Sequence, residues 1–117
     1  MTKRSLDVED LAVDLAVLIH QMTARFPPEH RYELARDLRR SAVSVGSNIA
    51  EGRGRKTGTE FARSLDIALG SARELEFQLR VANRLGFGTP EHRKQVNDLL
   101  NRIVAMCLSP RRHATAR

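Results

Sequence analysis

Apolar residues recur at three- and four-residue steps in four segments of the chain, and this periodicity limits the possible fold more than any other feature. Each segment places its apolar residues on one face of a helix. The stretches between the segments are short and contain proline or glycine, which end helices and begin new ones. The pattern predicts helices over about residues 5–25, 28–51, 59–85 and 90–108.

Short loops between long helices require neighbouring helices to run in opposite directions. The sequence therefore predicts an all-α, antiparallel, up-down-up-down four-helix bundle. A chain of 117 residues is long enough for one domain with a single core. We expect this domain to span residues 1–110 and a basic, disordered tail to follow at 111–117, after Ser109-Pro110.

Composition excludes several classes of protein. Cys107 is the one cysteine, which rules out an intramolecular disulfide and is typical of a reducing cytoplasm. It lies on an apolar face of a predicted helix, so we expect it to be a small core residue. Acidic residues interrupt the N-terminal apolar segment, and no apolar run reaches the roughly 18 residues of a membrane span. We expect a cytoplasmic protein with no membrane partner.

No catalytic, cofactor or metal site is predicted. The four histidines are scattered, and none forms the Glu-x-x-His pair of carboxylate-bridged bundles. Glu74 and Glu76 lie two residues apart and therefore face different sides of a helix, which argues against a catalytic carboxylate pair. We expect no enzymatic activity and no bound cofactor.

The chain is basic, with 20 Lys+Arg against 14 Asp+Glu and a net charge of +6, and only Lys3, Lys56 and Lys94 of the cations are lysines. The planar guanidinium group of arginine binds phosphate well, so the excess of arginine is consistent with contact to nucleic acid. It is equally consistent with a solvated surface of ion pairs. The candidate nucleic-acid-binding residues lie in helix 2 and the loop after it. They are Arg36, Arg40, Arg53, Arg55 and Lys56.

Residues 39–55 crowd small polar side chains into a predicted helix. Ser44, Ser47, Asn48 and Glu51 share one side of it. Three interpretations are open: close approach of two helices, a polar subunit contact, or, together with the basic loop, a site for a phosphate-bearing ligand. The basic loop lacks the residue spacing of a P-loop. This absence favours a solvated hinge between two helices over a phosphate-binding loop.

Glu76 falls within the core stripe of helix 3, where an unpaired carboxylate would be costly. We predict a buried ion pair with Arg39, at the edge of the helix 2 stripe, that fixes the register of the helices. The predicted buried polar network consists of Arg39, Asn48, Glu51 and Glu76.

Helix 3 carries a second apolar stripe, roughly opposite the first. A bundle of this size cannot surround one helix, so we expect the second stripe to form the interface of a homo-oligomer. The predicted interface residues are Ile67, Gly70, Phe77, Val81 and Leu85.

Three runs resemble one family: FPPEHRYELARDLRR, LRRSAVSVGSNIAEGRGR and EFARSLDIALGSARELEFQLRVANRLG. The chain is similar, over about residues 6–108, to the four-helix bundle proteins first found in intervening sequences of bacterial 23S ribosomal RNA genes. Gly46 departs from the pattern, since many members carry proline there. Either residue weakens a helix, so this position is compatible with a kink or a loosened turn, which glycine makes less obligatory than proline does.

The resemblance implies an antiparallel bundle that assembles as a homo-oligomer, typically a ring of five subunits, in a family without established enzymatic activity. It also implies a relationship to the accessory variability protein of diversity-generating retroelements, a basic bundle that binds nucleic acid and a reverse transcriptase.

Two functions follow as hypotheses. The first is a non-enzymatic, oligomeric bundle that binds the phosphate backbone of RNA or DNA through arginine-rich surfaces. The alternative is a protein-interaction scaffold, or an accessory subunit that docks an acidic or nucleic-acid-bound partner such as a reverse transcriptase. An enzyme that uses Asn48, Glu51 and Glu76 is a third and weaker interpretation.

Overall fold

Four α-helices build the protein in a computed structural model, which describes the backbone of residues 3–116 and the side chains of residues 8–29 and 33–108. The described residues contain no strand, so the prediction of an all-α, four-helix protein is confirmed. The helices are α1 (Lys3–Thr23), α2 (Arg36–Arg53), α3 (Gly58–Arg84) and α4 (Pro90–Ala116).

Hydroxyl side chains cap the start of the last two helices. Thr57 has an extended backbone, and its hydroxyl accepts a hydrogen bond from the Glu60 amide at 3.1 Å, which is the N-cap bond of a capping box. The Thr89 hydroxyl accepts from the His92 amide at 3.1 Å in the same way. Gly86, with φ of 77°, follows α3 in the left-handed region that glycine favours.

Two boundaries differ from the prediction. The segment predicted to open helix 2 at residue 28 forms a 3₁₀ turn at Pro28–His30 and a π-helical turn at Arg31–Ala35 before α2 begins. At the other end of the chain, α4 continues past Pro110, where we predicted its end. Proline removes one amide donor, which leaves the carbonyl four residues earlier without that bond but does not stop the helix. The predicted tail at 111–117 thus has a helical backbone up to Ala116, and its side chains lie outside the described residues.

The core follows the apolar stripes. α2 packs against α1 and α3, and α4 packs against α3 and α1, so the apolar faces of all four helices meet along one axis. At one end of this core, the rings of Phe26 and Phe87 lie 5.1 Å apart. Its largest fully buried side chains are Phe26, Leu15, Ile19, Met22, Leu38, Ile49, Leu65, Leu75, Leu100, Ile103, Val45 and Val96.

Contacts between α1 and α2 fix their relative direction. Glu9 near one end of α1 contacts Arg53, whereas Thr23 at the other end contacts Arg39. Residue numbers therefore rise along one helix as they fall along the other, which makes the two helices antiparallel. The complete up-down order, including α4, stays a prediction. No helix in the described part of the chain is both long and apolar enough to cross a membrane.

Candidate nucleic-acid interface

Small polar residues form the seam between α2 and α3. The Ser41 hydroxyl donates to Gln78 Oε1 at 2.9 Å, and the hydroxyls of Ser44 and Ser71 lie 2.7 Å apart. The pairing order again shows antiparallel helices. Of the three interpretations of the serine-rich face, the structure shows the first for Ser44, because its short side chain lets two helices of one chain approach closely.

Two glycines on α2 lie where other helices come near. A Cβ atom on Gly52 would lie 3.0 Å from Ser64 Cβ on α3, and one on Gly46 would lie 3.3 Å from Ala12 Cβ on α1. No loosened turn is seen at Gly46, since α2 is α-helical through this position. Glycine therefore serves close packing here.

The outer face of α2 carries Arg36 and Arg40. They lie one helical turn apart on the same side, with Cβ atoms about 6 Å from each other. Both are exposed, and neither contacts a carboxylate among the described residues. The exposed Val43 and Ser47 complete this face, which we call the α2 arginine face. Its two guanidinium groups are accessible to an anion in solution.

The loop after α2 is different, because carboxylates engage its arginines. Arg53 donates to both carboxylate oxygens of Glu9, at 2.6 Å from Nε and 3.2 Å from Nη2, and this pairing raises the pKa of Arg53 above its ordinary value. Arg55 pairs with Glu51. Lys56 is exposed and contacts no carboxylate in the described part of the chain. Of the five predicted nucleic-acid-binding residues, two are thus held in ion pairs.

The predicted ion pair between Arg39 and Glu76 is wrong. Glu76 accepts from Arg73 at 2.9 Å, one turn away on its own helix, and its side chain keeps 34% exposure. Arg39 donates from Nε to the buried Thr23 hydroxyl at 2.8 Å. The two residues point to different neighbours because Arg39 lies on the side of α2 that faces α1, whereas Glu76 lines the groove between α3 and α4.

The other two members of the predicted polar network make local bonds. Asn48 donates from Nδ2 to the Ser44 carbonyl at 2.8 Å, and Glu51 pairs with Arg55 four residues later. Asn48, Glu51 and Glu76 do not converge, since Glu51 and Glu76 line separate cavities. The arrangement that an enzyme would need from these three groups is not assembled.

The predicted oligomer stripe is uncovered within one chain. Ile67, Phe77 and Leu85 are 48%, 64% and 50% exposed, and a Cβ atom on Gly70 would meet nothing within 4 Å. Val81 is half-buried. The structure divides the stripe, because Ile67 lines a cavity at the α2–α3 turn and Phe77 lines a groove between α3 and α4.

These two concavities have mixed polar and apolar walls. The α3–α4 groove has a volume of about 350 Å³. Its walls are formed by Arg73, Glu76, Phe77, Leu79, Arg80, Asn83 and Asn97. The cavity at the α2–α3 turn has a volume of about 280 Å³. It is lined by Glu51, Arg55, Glu60, Arg63, Ser64 and Ile67.

Sequence reasoning missed the polar residues of the α3–α4 groove. Arg80 follows Phe77 by three residues and Asn83 follows Arg80 by three, so helical periodicity could have placed Arg80 beside the ring and Asn83 beside Arg80. Asn97 had no such signal, because its position depends on how α4 packs against α3.

Cys107 is a core thiol. It is buried on α4, and burial raises its pKa to about 11, so the nucleophilic thiolate is scarce at neutral pH. Among the described residues, no three His, Cys, Asp or Glu side chains are grouped so as to hold a metal ion.

Together these features define an all-α bundle with a tight polar seam and an arginine face on one of its helices. The chain belongs to the 23S rRNA-intervening sequence protein family, whose model matches residues 4–109. It is similar to the crystal structure of a protein with unknown function from the S23 ribosomal protein family of Bacteroides thetaiotaomicron, with a TM-score of 0.84 and 25% identity. The similarity covers 93% of this chain and 98% of that one. A comparison with curated proteins gives no match.

Proposed function

We propose that this protein is a non-enzymatic, cytoplasmic, homo-oligomeric bundle that binds the phosphate backbone of RNA or DNA. The observation that carries the proposal is the α2 arginine face, where Arg36 and Arg40 are exposed and contact no carboxylate among the described residues. A phosphate can bind these side chains without displacing a competing anion. The net charge of +6 favours association with a polyanion.

The loop after α2 contributes less than its composition indicates. Phosphates would have to compete with Glu9 for Arg53 and with Glu51 for Arg55. Lys56 lies beyond the end of α2 and can add one phosphate contact. The α2 arginine face therefore provides the main contacts, and Lys56 extends them.

Alanine substitution of both arginines tests the proposal. We expect Arg36→Ala/Arg40→Ala to weaken binding to structured RNA and to duplex DNA about tenfold or more at low salt, since two charge-assisted contacts are lost. Fluorescence anisotropy with labelled nucleic acids measures the change.

A charge-matched control is available on α4, which packs against α1 and α3 and so lies diagonal to α2. Lys94→Ala/Arg102→Ala removes the same net charge from exposed positions there, although Lys94 pairs with Asp98 at 3.0 Å. Binding should change little in this variant. Equal losses in the two double variants would mean that net charge, and not the α2 arginine face, governs binding.

The second candidate function is an interaction scaffold, and exposed apolar side chains favour it. Ile67, Phe77 and Leu85 lack cover within the chain, which is typical of surfaces that contact another protein. The family resemblance suggests further copies of this chain, as a pentamer, or a partner such as a reverse transcriptase. A wild-type protein that binds such a partner but no bare nucleic acid would favour this function.

A further inference from the structure

The α3–α4 groove combines an aromatic ring with polar side chains. Phe77 forms part of its wall and keeps 64% of its surface exposed. Arg73 and Arg80 flank Phe77 at i−4 and i+3 on α3, positions that lie on the same side of a helix. The amides of Asn83, from α3, and Asn97, from α4, complete the polar wall. An exposed ring between two guanidinium groups resembles the stacking surfaces that bind unpaired bases.

The charges in the groove leave one cation for a ligand. Arg73 contacts Glu76 at 2.9 Å, so these two groups largely neutralise each other. Arg80 is exposed and contacts no carboxylate in the described part of the chain. A singly charged phosphate beside Arg80 is therefore the complementary anion, with a planar ring on Phe77.

We propose that this groove holds one unpaired nucleotide of single-stranded RNA or DNA. The base stacks on Phe77, its phosphate lies at Arg80, and its edge faces the amides of Asn83 and Asn97, which can donate and accept hydrogen bonds. The groove volume of about 350 Å³ lies at the lower end of the ~300–1,000 Å³ found for ligand clefts. The proposal rests on the nucleic-acid function proposed above and adds to it a preference for unpaired strands.

A second copy of this chain fits the groove less well. An apolar subunit contact over Phe77 would bury the guanidinium of Arg80 and the amides of Asn83 and Asn97, which costs free energy unless every group finds a partner. Ile67, which belongs to the same predicted stripe, lines the other cavity. Ile67 and Phe77 therefore face different concavities.

Two labelled oligonucleotides of about twelve residues test the proposal, a length within the ~4–16-nucleotide range of single-strand sites. One carries normal bases and the other is abasic, so both present the same phosphates. The wild type should bind the base-containing strand more tightly. Phe77→Ala should weaken that binding roughly 5- to 150-fold and leave binding of the abasic strand unchanged. Val17→Ala, which truncates an exposed apolar residue on α1 outside the groove, should change neither.

The outcomes separate this proposal from the one it rests on. A wild type that binds neither strand and no duplex overturns nucleic-acid binding itself. Equal binding of the two strands by the wild type is one contrary result, and an equal loss of affinity for both strands in Phe77→Ala is another. Either result leaves phosphate binding by the protein intact and overturns the proposal that the groove binds a nucleotide. A smaller particle mass for Phe77→Ala in light scattering also overturns it, since a second copy would then occupy the groove.

Discussion

Gly52 and Gly70 both lie inside helices, but their surroundings differ. A Cβ atom at Gly52 would lie 3.0 Å from Ser64 Cβ, whereas one at Gly70 would lie in open space. We expect Gly52→Ala to lower the free energy of unfolding by about 1 kcal/mol, because overpacking costs roughly 1–3 kcal/mol and the better helix propensity of alanine returns about 1. Gly70→Ala should raise it by about 0.5–1 kcal/mol. Urea denaturation measures both, and stabilisation by Gly52→Ala would show that the α2–α3 seam is looser than described.

The buried thiol gives a pH-dependent prediction. Burial raises the pKa of Cys107 from 9.0 to about 11, so above pH 9 the unfolded chain loses this proton while the folded chain keeps it. The contribution of the protonated thiol to the free energy of unfolding is therefore complete below pH 9. It declines by about 1.4 kcal/mol per pH unit as the pH rises toward 11. Cys107→Ala should show a shallower decline over this range in denaturation curves. Parallel curves for the two proteins would contradict a buried, protonated thiol.

At the scale of helices, hydrogen bonds across the α2–α3 seam help to set the register. Ser44 and Ser71 lie 2.7 Å apart, while Ser47 is exposed on the same helix. A double-mutant cycle with Ser44→Ala and Ser71→Ala should give a coupling free energy of about 0.5–1.5 kcal/mol. The matched cycle with Ser47→Ala and Ser71→Ala should give a value near zero. Equal couplings would mean that the serine pair does not specify the seam.

The helices were predictable because their signals are local. The stripe containing Leu38, Val45 and Ile49 is buried as its periodicity predicts, and Thr57 caps α3. The partner of Glu76 was not predictable. A helical wheel shows that Glu76 lies near the core stripe and that Arg73 is within reach on the same helix, but it does not show which neighbouring helix that edge faces. The choice between Arg73 and a partner on another helix therefore depended on the packing.

The candidate site was predictable only in part for the same reason. Composition identified Arg36, Arg40, Arg53 and Arg55 as a basic group. All four are exposed, and they differ in whether a carboxylate pairs with them. The ion pair between Arg53 and Glu9 joins residues 44 positions apart, so it depends on the packing of α1 against α2. A tertiary contact therefore limits the access of a phosphate to Arg53, whereas the pair of Arg55 with Glu51 is a local one between residues four positions apart.

At the scale of the whole molecule, the proposed homo-oligomer requires an apolar contact outside the core. Ile67 and Leu85 are each about half exposed and lie on one side of α3. We expect Ile67→Glu/Leu85→Glu to reduce the particle mass to that of a monomer, because two buried carboxylates would be unpaired in the interface. Light scattering measures the mass, with Val17→Glu, an exposed valine on α1, as the control. An unchanged mass would show that the interface lies on another face of the molecule.

The salt dependence of binding tests the central claim, that Arg36 and Arg40 contact nucleic-acid phosphates. Each phosphate contact contributes about −0.9 to the slope of log K against log salt for duplex DNA. The slope for Arg36→Ala/Arg40→Ala should therefore be shallower than that of the wild type by roughly 1.8, whereas Lys94→Ala/Arg102→Ala should keep the wild-type slope. Equal slopes for all three proteins would contradict the claim.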